Sequence, residues 1–259
     1  MSKSTRNAYC TFLSSPLPSN VEDTEFLATR ILAYQLLHDP TTKSPSKLPL
    51  VVLVTKDVEQ SKRNLLTADG ATVLEVTPFL TSSTPSSASD LTKLRAFQLT
   101  QFDKVLYLAP STLLTQPLDA VFADPATAEY AALTPETEPP PQSNTQAPSS
   151  YVFAASATTG NMLDPGFVVF KPAEGLFRHY IAVLGASERG FDTAEALWRE
   201  VHAQKSNMPW NRLAGEWNGE VLKEGVRSVR VEGRGSGEVR EVWGRVRGRM
   251  EGYWIRAEE

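Results

Sequence analysis

The sequence has one cysteine, Cys10, and only three histidines, His38, His179 and His202, spread along 259 residues. A single cysteine excludes an intramolecular disulfide and a cysteine-rich zinc site. Histidines so far apart in sequence offer no dedicated His/Cys metal centre. Long apolar runs are lacking too: the longest clean one is Leu50–Val54, far short of the ~20 residues of a membrane-spanning helix. The opening MSKSTRN is polar and lacks the apolar stretch of a signal peptide. No membrane partner is expected, and with one free cysteine the expected location is cytoplasmic. Charge of one sign is also scarce. Against 30 acidic residues stand 26 lysines and arginines, a net charge of −4, so the whole chain is not a general nucleic-acid binder. At 41% hydrophobic and 22% charged, the composition excludes wholesale disorder.

What is present is an alternation of apolar strands and helices. Ala8–Leu13 is rich in β-formers, and Leu50–Thr55 (LVVLVT) is the continuous apolar run of a strand buried on both faces. Glu22–Leu37 carries Phe26, Ile31, Leu32, Leu36 and Leu37 at helical spacing behind an acidic first turn. A second helix over Val58–Asp69 and a third strand over Thr72–Val76 complete a βαβαβ opening, which predicts a mostly parallel sheet with crossover helices. Further on, the patterns predict a helix over Leu91–Gln101, buried strands at Lys104–Leu108 and Gly166–Phe170, and helices over Gly175–Leu184 and Asp192–Ala203. Two stretches read as flexible insertions: 81–90, polar and of low complexity, and 134–150, with five prolines and no apolar period. The C-terminal segment 221–259 stands apart from the domain at 1–220. Between Arg227 and Arg249 it holds seven arginines and three glutamates. An exposed hairpin of alternating charge is expected there; an anion-binding arm for phosphates or RNA is the sharper alternative.

The stretch from Leu91 to Leu108, LTKLRAFQLTQFDKVLYL, resembles the helix-to-strand segment of glycosyltransferase family 8, the glycogenin-like proteins. Thr112-Leu113-Leu114, Pro117-Leu118-Asp119 and Phe122 resemble its continuation. Ala8–Leu13 resembles the first nucleotide-binding strand, Asp164–Pro172 a later sheet strand, and Met208-Pro209-Trp210 with Trp217-Asn218 the ending of fungal members. The resemblance covers roughly residues 8 to 220. It implies a single-domain GT-A-like nucleotide-diphospho-sugar transferase fold, α/β, with a mixed, mostly parallel central sheet flanked by helices. The donor, a UDP-sugar, would sit at the strand carboxyl ends, in keeping with the rule for open α/β sheets. The activity implied is retaining transfer of a hexose.

The sequence departs from the family where the resemblance implies a manganese site. Asp-x-Asp after the strand is replaced by Ala109-Pro110-Ser111, and no histidine follows His202 to serve as the third ligand. No metal ligand is therefore assigned; Ser111 offers only a neutral hydroxyl. The family's Asn-Ala/Ser-Gly is Asp164-Pro165-Gly166, and its acidic–Gln pair falls on Asp192 and Glu195. On a helix those two carboxylates share one face, which suits acid–base work; a capping box explains the same spacing. With Asp164 they form the candidate catalytic set. Lys93, Arg95, Ser111, Gly166, Trp217 and Asn218 are the candidate substrate-binding residues, the cations as partners for a donor diphosphate. Lys93 reads equally as a solvated helix lysine, and Trp210 and Trp217 as core anchors. Cys10 and His202 read as structural residues.

Three functions follow. The first is hexose transfer from a UDP-sugar without the usual metal site. The second is a catalytically degenerate scaffold or regulator. The third reuses the fold for arginine cyclodipeptide synthesis from aminoacyl-tRNA, to which the Asp192–Glu195 spacing and the basic tail bear a partial likeness.

Overall fold

The computed structural model describes residues 6–18, 20–79, 90–133, 148–158, 160–187, 191–231 and 237–258. Most of both insertions read from the sequence, 80–89 and 134–147, lies outside them.

A seven-stranded sheet runs through the molecule. Its strands are β1 (Asn7–Leu13), β2 (Leu50–Val54), β3 (Thr72–Glu75), β4 (Lys104–Leu108), β8 (Phe153–Ala157), β9 (Leu163–Phe170) and β10 (Asn211–Arg212), in the order β10-β8-β9-β4-β1-β2-β3; β6 (Tyr130–Ala131) and β7 (Ser150–Tyr151) pair outside it. The pairs β1–β2, β1–β4, β2–β3 and β8–β10 are parallel, while β9 runs antiparallel to both neighbours. The expected βαβαβ opening is present, with α1 (Thr24–Leu37) and α2 (Gln60–Ala68) as crossovers. Every residue of β2 is buried, as its apolar run requires. Alternate side chains of each strand face opposite layers. One layer packs Cys10, Val105, Tyr107, Phe153 and Phe170 under Phe97, Tyr180 and Trp198. The other packs Tyr9, Val52, Leu106 and Phe167 under Leu32, Leu36, Leu66 and Trp217. The helices of the first layer are α3 (Glu174–Ala186) and α4 (Ala194–Val201), joined by a short 3-10 helix, Lys93–Gln98, where the sequence predicted a longer α-helix.

The tail differs from its expected hairpin. Ser228–Arg230 forms β11, antiparallel to β5 (Thr112–Leu114), and Gly237–Glu258 is a single helix, α5. Its buried Val239, Val246 and Met250, with half-buried Val242, Trp243, Tyr253 and Trp254, recur every three or four residues and pack on Ile31 and Tyr34 of α1. Four glycines and a Val-Arg alternation disguise that period at short range. Three of its arginines are paired: Arg245 with Glu241 at 3.5 Å, Arg247 with Glu251 at 2.8 Å, and Arg249 with Asp39, just past the end of α1, at 2.9 Å. Pairs four residues apart support a helix.

Two small devices fix the strand ends. The Gln35 amide on α1 donates to Thr112 O at 3.3 Å and accepts from Leu114 N at 2.7 Å, clamping β5. At the start of α1, Asp23 accepts from Phe26 N at 3.0 Å and forms a buried ion pair with Lys62, which also donates to Leu17 O at 2.6 Å. That pair holds the segment leaving β1 against both crossover helices.

Candidate functional site

The carboxyl ends of β1, β2 and β4 open at one edge of the sheet, and β9, running the other way, begins there. After β4 the chain turns through Ala109-Pro110-Ser111. Ala109 N donates to Gly166 O at 2.8 Å, so the start of β9 lies against this turn. Asp164 is the polar centre of the place. Its Oδ1 accepts from Gly166 N at 2.8 Å and from Arg230 Nη1 at 2.9 Å; its Oδ2 accepts from Asn218 Nδ2 at 2.9 Å. Ser228 Oγ closes the network with contacts to Asn218 Oδ1 at 3.0 Å and Trp217 O at 2.8 Å. Asp164, Asn218 and Ser228 are buried, and both carboxylate oxygens of Asp164 are supplied with donors.

Arg230 reaches this centre from the tail. β11 pairs Arg230 with Thr112, and Val231 N donates to Ser111 O at 3.0 Å. The arginine stem crosses Gly166 closely: a Cβ there would stand 3.3 Å from Arg230 Cδ and 3.2 Å from both Ala109 Cβ and Asp164 Oδ1. Glycine at 166 is thus favoured by close approach rather than by backbone conformation. The guanidinium side chain remains 30% exposed while Asp164 is at 8%.

A second group of charges faces the same strand ends. Lys93 pairs with Asp90 and lies 6.0 Å from the ring centre of Tyr107 on β4. Asp90 also accepts from Ala194 N at 2.7 Å, docking the start of α4. Burial pushes the Tyr107 hydroxyl up; Cys10, Asp90 and Glu25 act the same way, and Arg230 opposes them. Lost hydration and then Asp23 push the Glu25 carboxyl up to about 6, against relief from the Ser14 N–H and Lys93, although the residue lies at the surface. The mouth therefore carries Glu25, Asp90, Lys93, Asp164 and Arg230 within electrostatic reach of Tyr107 or of each other.

Of the residues singled out in the sequence, Asp164, Gly166 and Asn218 come together here, with Ser111 adjacent through its carbonyl. Lys93 belongs to the neighbouring charge group. Arg95 is engaged elsewhere: its Nε donates to Thr77 O at 3.1 Å, and its guanidinium lies 4.7 Å from the Phe79 ring and 5.2 Å from that of Phe177. Trp217 is a buried anchor whose indole N–H donates to Asp124 Oδ2 at 2.6 Å, with Arg227 stacked 4.8 Å above. Asp192 is exposed, and Thr193, not Asp192, caps α4 by accepting from Ala196 N at 3.1 Å. Glu195 pairs with Arg199 along the helix. Among the described residues, the bonds around Asp164 include neither Asp192 nor Glu195. Cys10 is fully buried, and burial raises its thiol far above the nucleophilic range.

Sequence reasoning missed Arg230, Glu25 and Tyr107 as members of the site. Arg230 is one arginine of eight in the tail, and only the Ser-Val-Arg-Val alternation at 228–231, a strand signal, hints at its separate role.

The donor set does not fit a hard divalent cation. Such ions take several carboxylate or carbonyl oxygens. The turn after β4 offers one neutral hydroxyl, and both oxygens of Asp164 are engaged, one by a guanidinium. Among the described residues no group of three or more His, Cys, Asp or Glu is placed to hold a metal. No helix among them is long and apolar enough to cross a membrane.

The sheet order and the mixed strand directions are those of a GT-A-like fold. Over 97% of this chain the fold matches the glycosyltransferase GlyE of Streptococcus pneumoniae TIGR4, with a TM-score of 0.59, 12% identity and 64% of that chain covered. Mouse xyloside xylosyltransferase 1 matches over 88% of this chain and 98% of its own, with a TM-score of 0.52 and 11% identity. In sequence, the chain is similar to two uncharacterized proteins of Schizosaccharomyces pombe. C4C3.09 is 37% identical over 127 residues, 45% of this chain and 33% of its own length. C5H10.12c is 33% identical over 121 residues, 42% and 32% respectively. The chain thus spans about a third of these relatives. No family model matches it.

Proposed function

We propose that the protein binds a nucleoside diphosphate sugar, UDP-linked, at the mouth formed by the ends of β1 and β4, and transfers its hexose to an acceptor. The observation that supports this reading is the buried Asp164–Asn218–Arg230 network at the carboxyl edge of a GT-A-like sheet, where open α/β folds take their ligands. In the transfer, the bond from the anomeric carbon to the diphosphate breaks and its electron pair leaves with the phosphate; a new bond forms to an acceptor oxygen, whose proton passes to a base. Lys93, at the same edge, favours the negative charge of the departing diphosphate. Asp164 serves as a positioning group, because its oxygens are already engaged. The glycogenin-like relationship and the retaining outcome belong to the same proposal.

A binding module without turnover is the second reading. It is favoured by one observation: Asp192 and Glu195, the remaining acid–base candidates, do not share Asp164's hydrogen-bond network. Titration calorimetry with UDP and UDP-glucose tests binding, and release of UDP from UDP-glucose tests turnover. Binding with turnover supports transfer. Binding without hydrolysis or transfer across an acceptor panel supports the module. Absence of binding to either ligand overturns both.

A further inference from the structure

We propose that Arg230, delivered to the sheet edge by the C-terminal segment, is a diphosphate-binding residue of the donor site and stands where a divalent cation would otherwise balance the charge. The inference rests on the nucleotide-sugar reading and adds the identity of the cation. Three observations carry it. Arg230 is built in rather than draped over the surface: β11 holds its backbone against Thr112, Val231 N bonds Ser111 O, and the stem passes so close over Gly166 that a Cβ there would stand 3.3 Å from its Cδ. Its guanidinium is oriented by a buried carboxylate, with Nη1 2.9 Å from Asp164 Oδ1, while the side chain keeps 30% exposure at the strand ends. The surrounding donor set suits no hard cation, since Ala109 and Pro110 occupy the turn after β4 and no acidic or histidine cluster is found among the described residues.

A planar guanidinium matches two phosphate oxygens at once and is never deprotonated at working pH. Held by a second group on a strand, it is preorganised in the way a phosphate site demands. Asp164 is then a positioning residue. It sets the plane of the guanidinium and does not touch the nucleotide.

The test compares UDP with uridine, which lacks phosphates, on the full chain in EDTA and in manganese. Calorimetry follows UDP, and ligand-observed NMR follows uridine. The expected result is UDP binding in EDTA, changed less than about threefold by manganese. Arg230→Gln then weakens UDP about tenfold or more, the range for losing a charged hydrogen bond, and leaves uridine unchanged, with a melting transition that stays cooperative but is lowered by the loss of Asp164's partner. Arg230→Lys falls between, because it keeps charge and loses the fork. Asp164→Asn, tested alongside, weakens UDP less than Arg230→Gln. UDP binding that requires manganese overturns the inference and leaves the nucleotide-sugar reading standing. So does an equal loss for UDP and uridine in Arg230→Gln, which marks a purely structural arginine. No UDP binding in either condition overturns the underlying reading together with the inference.

Discussion

Two of the buried polar centres in this molecule are built on opposite principles. His202 at the end of α4 is fully buried, stacked on the Phe153 ring at 3.7 Å, with Nδ1 2.7 Å from Met208 O and Nε2 2.6 Å from the Tyr180 hydroxyl. A carbonyl only accepts, so Nδ1 carries the proton and the Tyr180 hydroxyl donates to Nε2. Burial holds the imidazole down at about 3 despite the Met208 bond, so the centre is neutral and closed. Asp164 is charged, answered by a guanidinium, and open to solvent on the arginine's side. The contrast separates a polar group that specifies packing from one that keeps a charge at a surface where a ligand can meet it.

The largest effect is expected at the closed centre. His202→Ala leaves a cavity and strands Tyr180 and Met208 O, costing roughly 3–5 kcal/mol by analogy with aromatic truncations and lost partners; denaturant melts read it. The same centre predicts an acid limb. The unfolded chain takes up a proton on this histidine below about pH 6.5 and the folded chain only near 3, so the contribution is complete above pH 6.5. It falls by about 1.4 kcal/mol per unit as the pH drops through that window. Melts at pH 7 and pH 4.5 in wild type and His202→Ala measure the difference; a wild type no more acid-sensitive than the variant breaks the contrast.

At the open centre the next effect is smaller. Gly166→Ala places a methyl against Ala109, Asp164 and the Arg230 stem, for a loss of about 1–3 kcal/mol of stability. UDP affinity falls with it, because the guanidinium must shift. An alanine variant with unaltered melting and binding would show that the stem has room. The smallest effect belongs to Glu25. Its raised pKa means that the carboxyl gains its charge as pH climbs through about 6, adding repulsion at the mouth. UDP-glucose, whose phosphates do not titrate there, should bind about two- to fivefold more tightly at pH 5.5 than at pH 7. Glu25→Gln should flatten that profile in calorimetry.

The same two centres show what a sequence discloses. The sheet was legible because LVVLV and KVLYL are runs that only a doubly covered strand tolerates, and α1 and α2 because their apolar residues keep a helical period. β8 was missed: FAASA is short and small-sided, and its burial comes from Phe97, Trp198 and His202, which are distant in sequence. α5 was misread because local Val-Arg alternation overrode the longer spacing of Val239, Val246 and Met250. Of the candidate site residues, Asp164, Gly166 and Asn218, which the structure brings together, were singled out because each falls in a stretch that resembles a known family. Arg230 could not be told from the seven other arginines of the tail, because only the pairing of β11 with β5 decides which one enters the mouth. Trp217 and Arg95 had the right chemistry, but Asp124 and the Phe79–Phe177 rings hold them elsewhere.

The clasp of β11 onto β5 joins Arg230 to Thr112. On a ribosome this means that the parallel core strands emerge and can collapse well before the arginine is made, since folding follows emergence from the N-terminal side. Contacts between such distant positions also form late in refolding, after the loop-closure entropy has been met. The mouth is therefore finished last. A nascent or refolding chain passes through a stage with an intact sheet and an unneutralised Asp164, and ligand binding should lag behind the recovery of secondary structure.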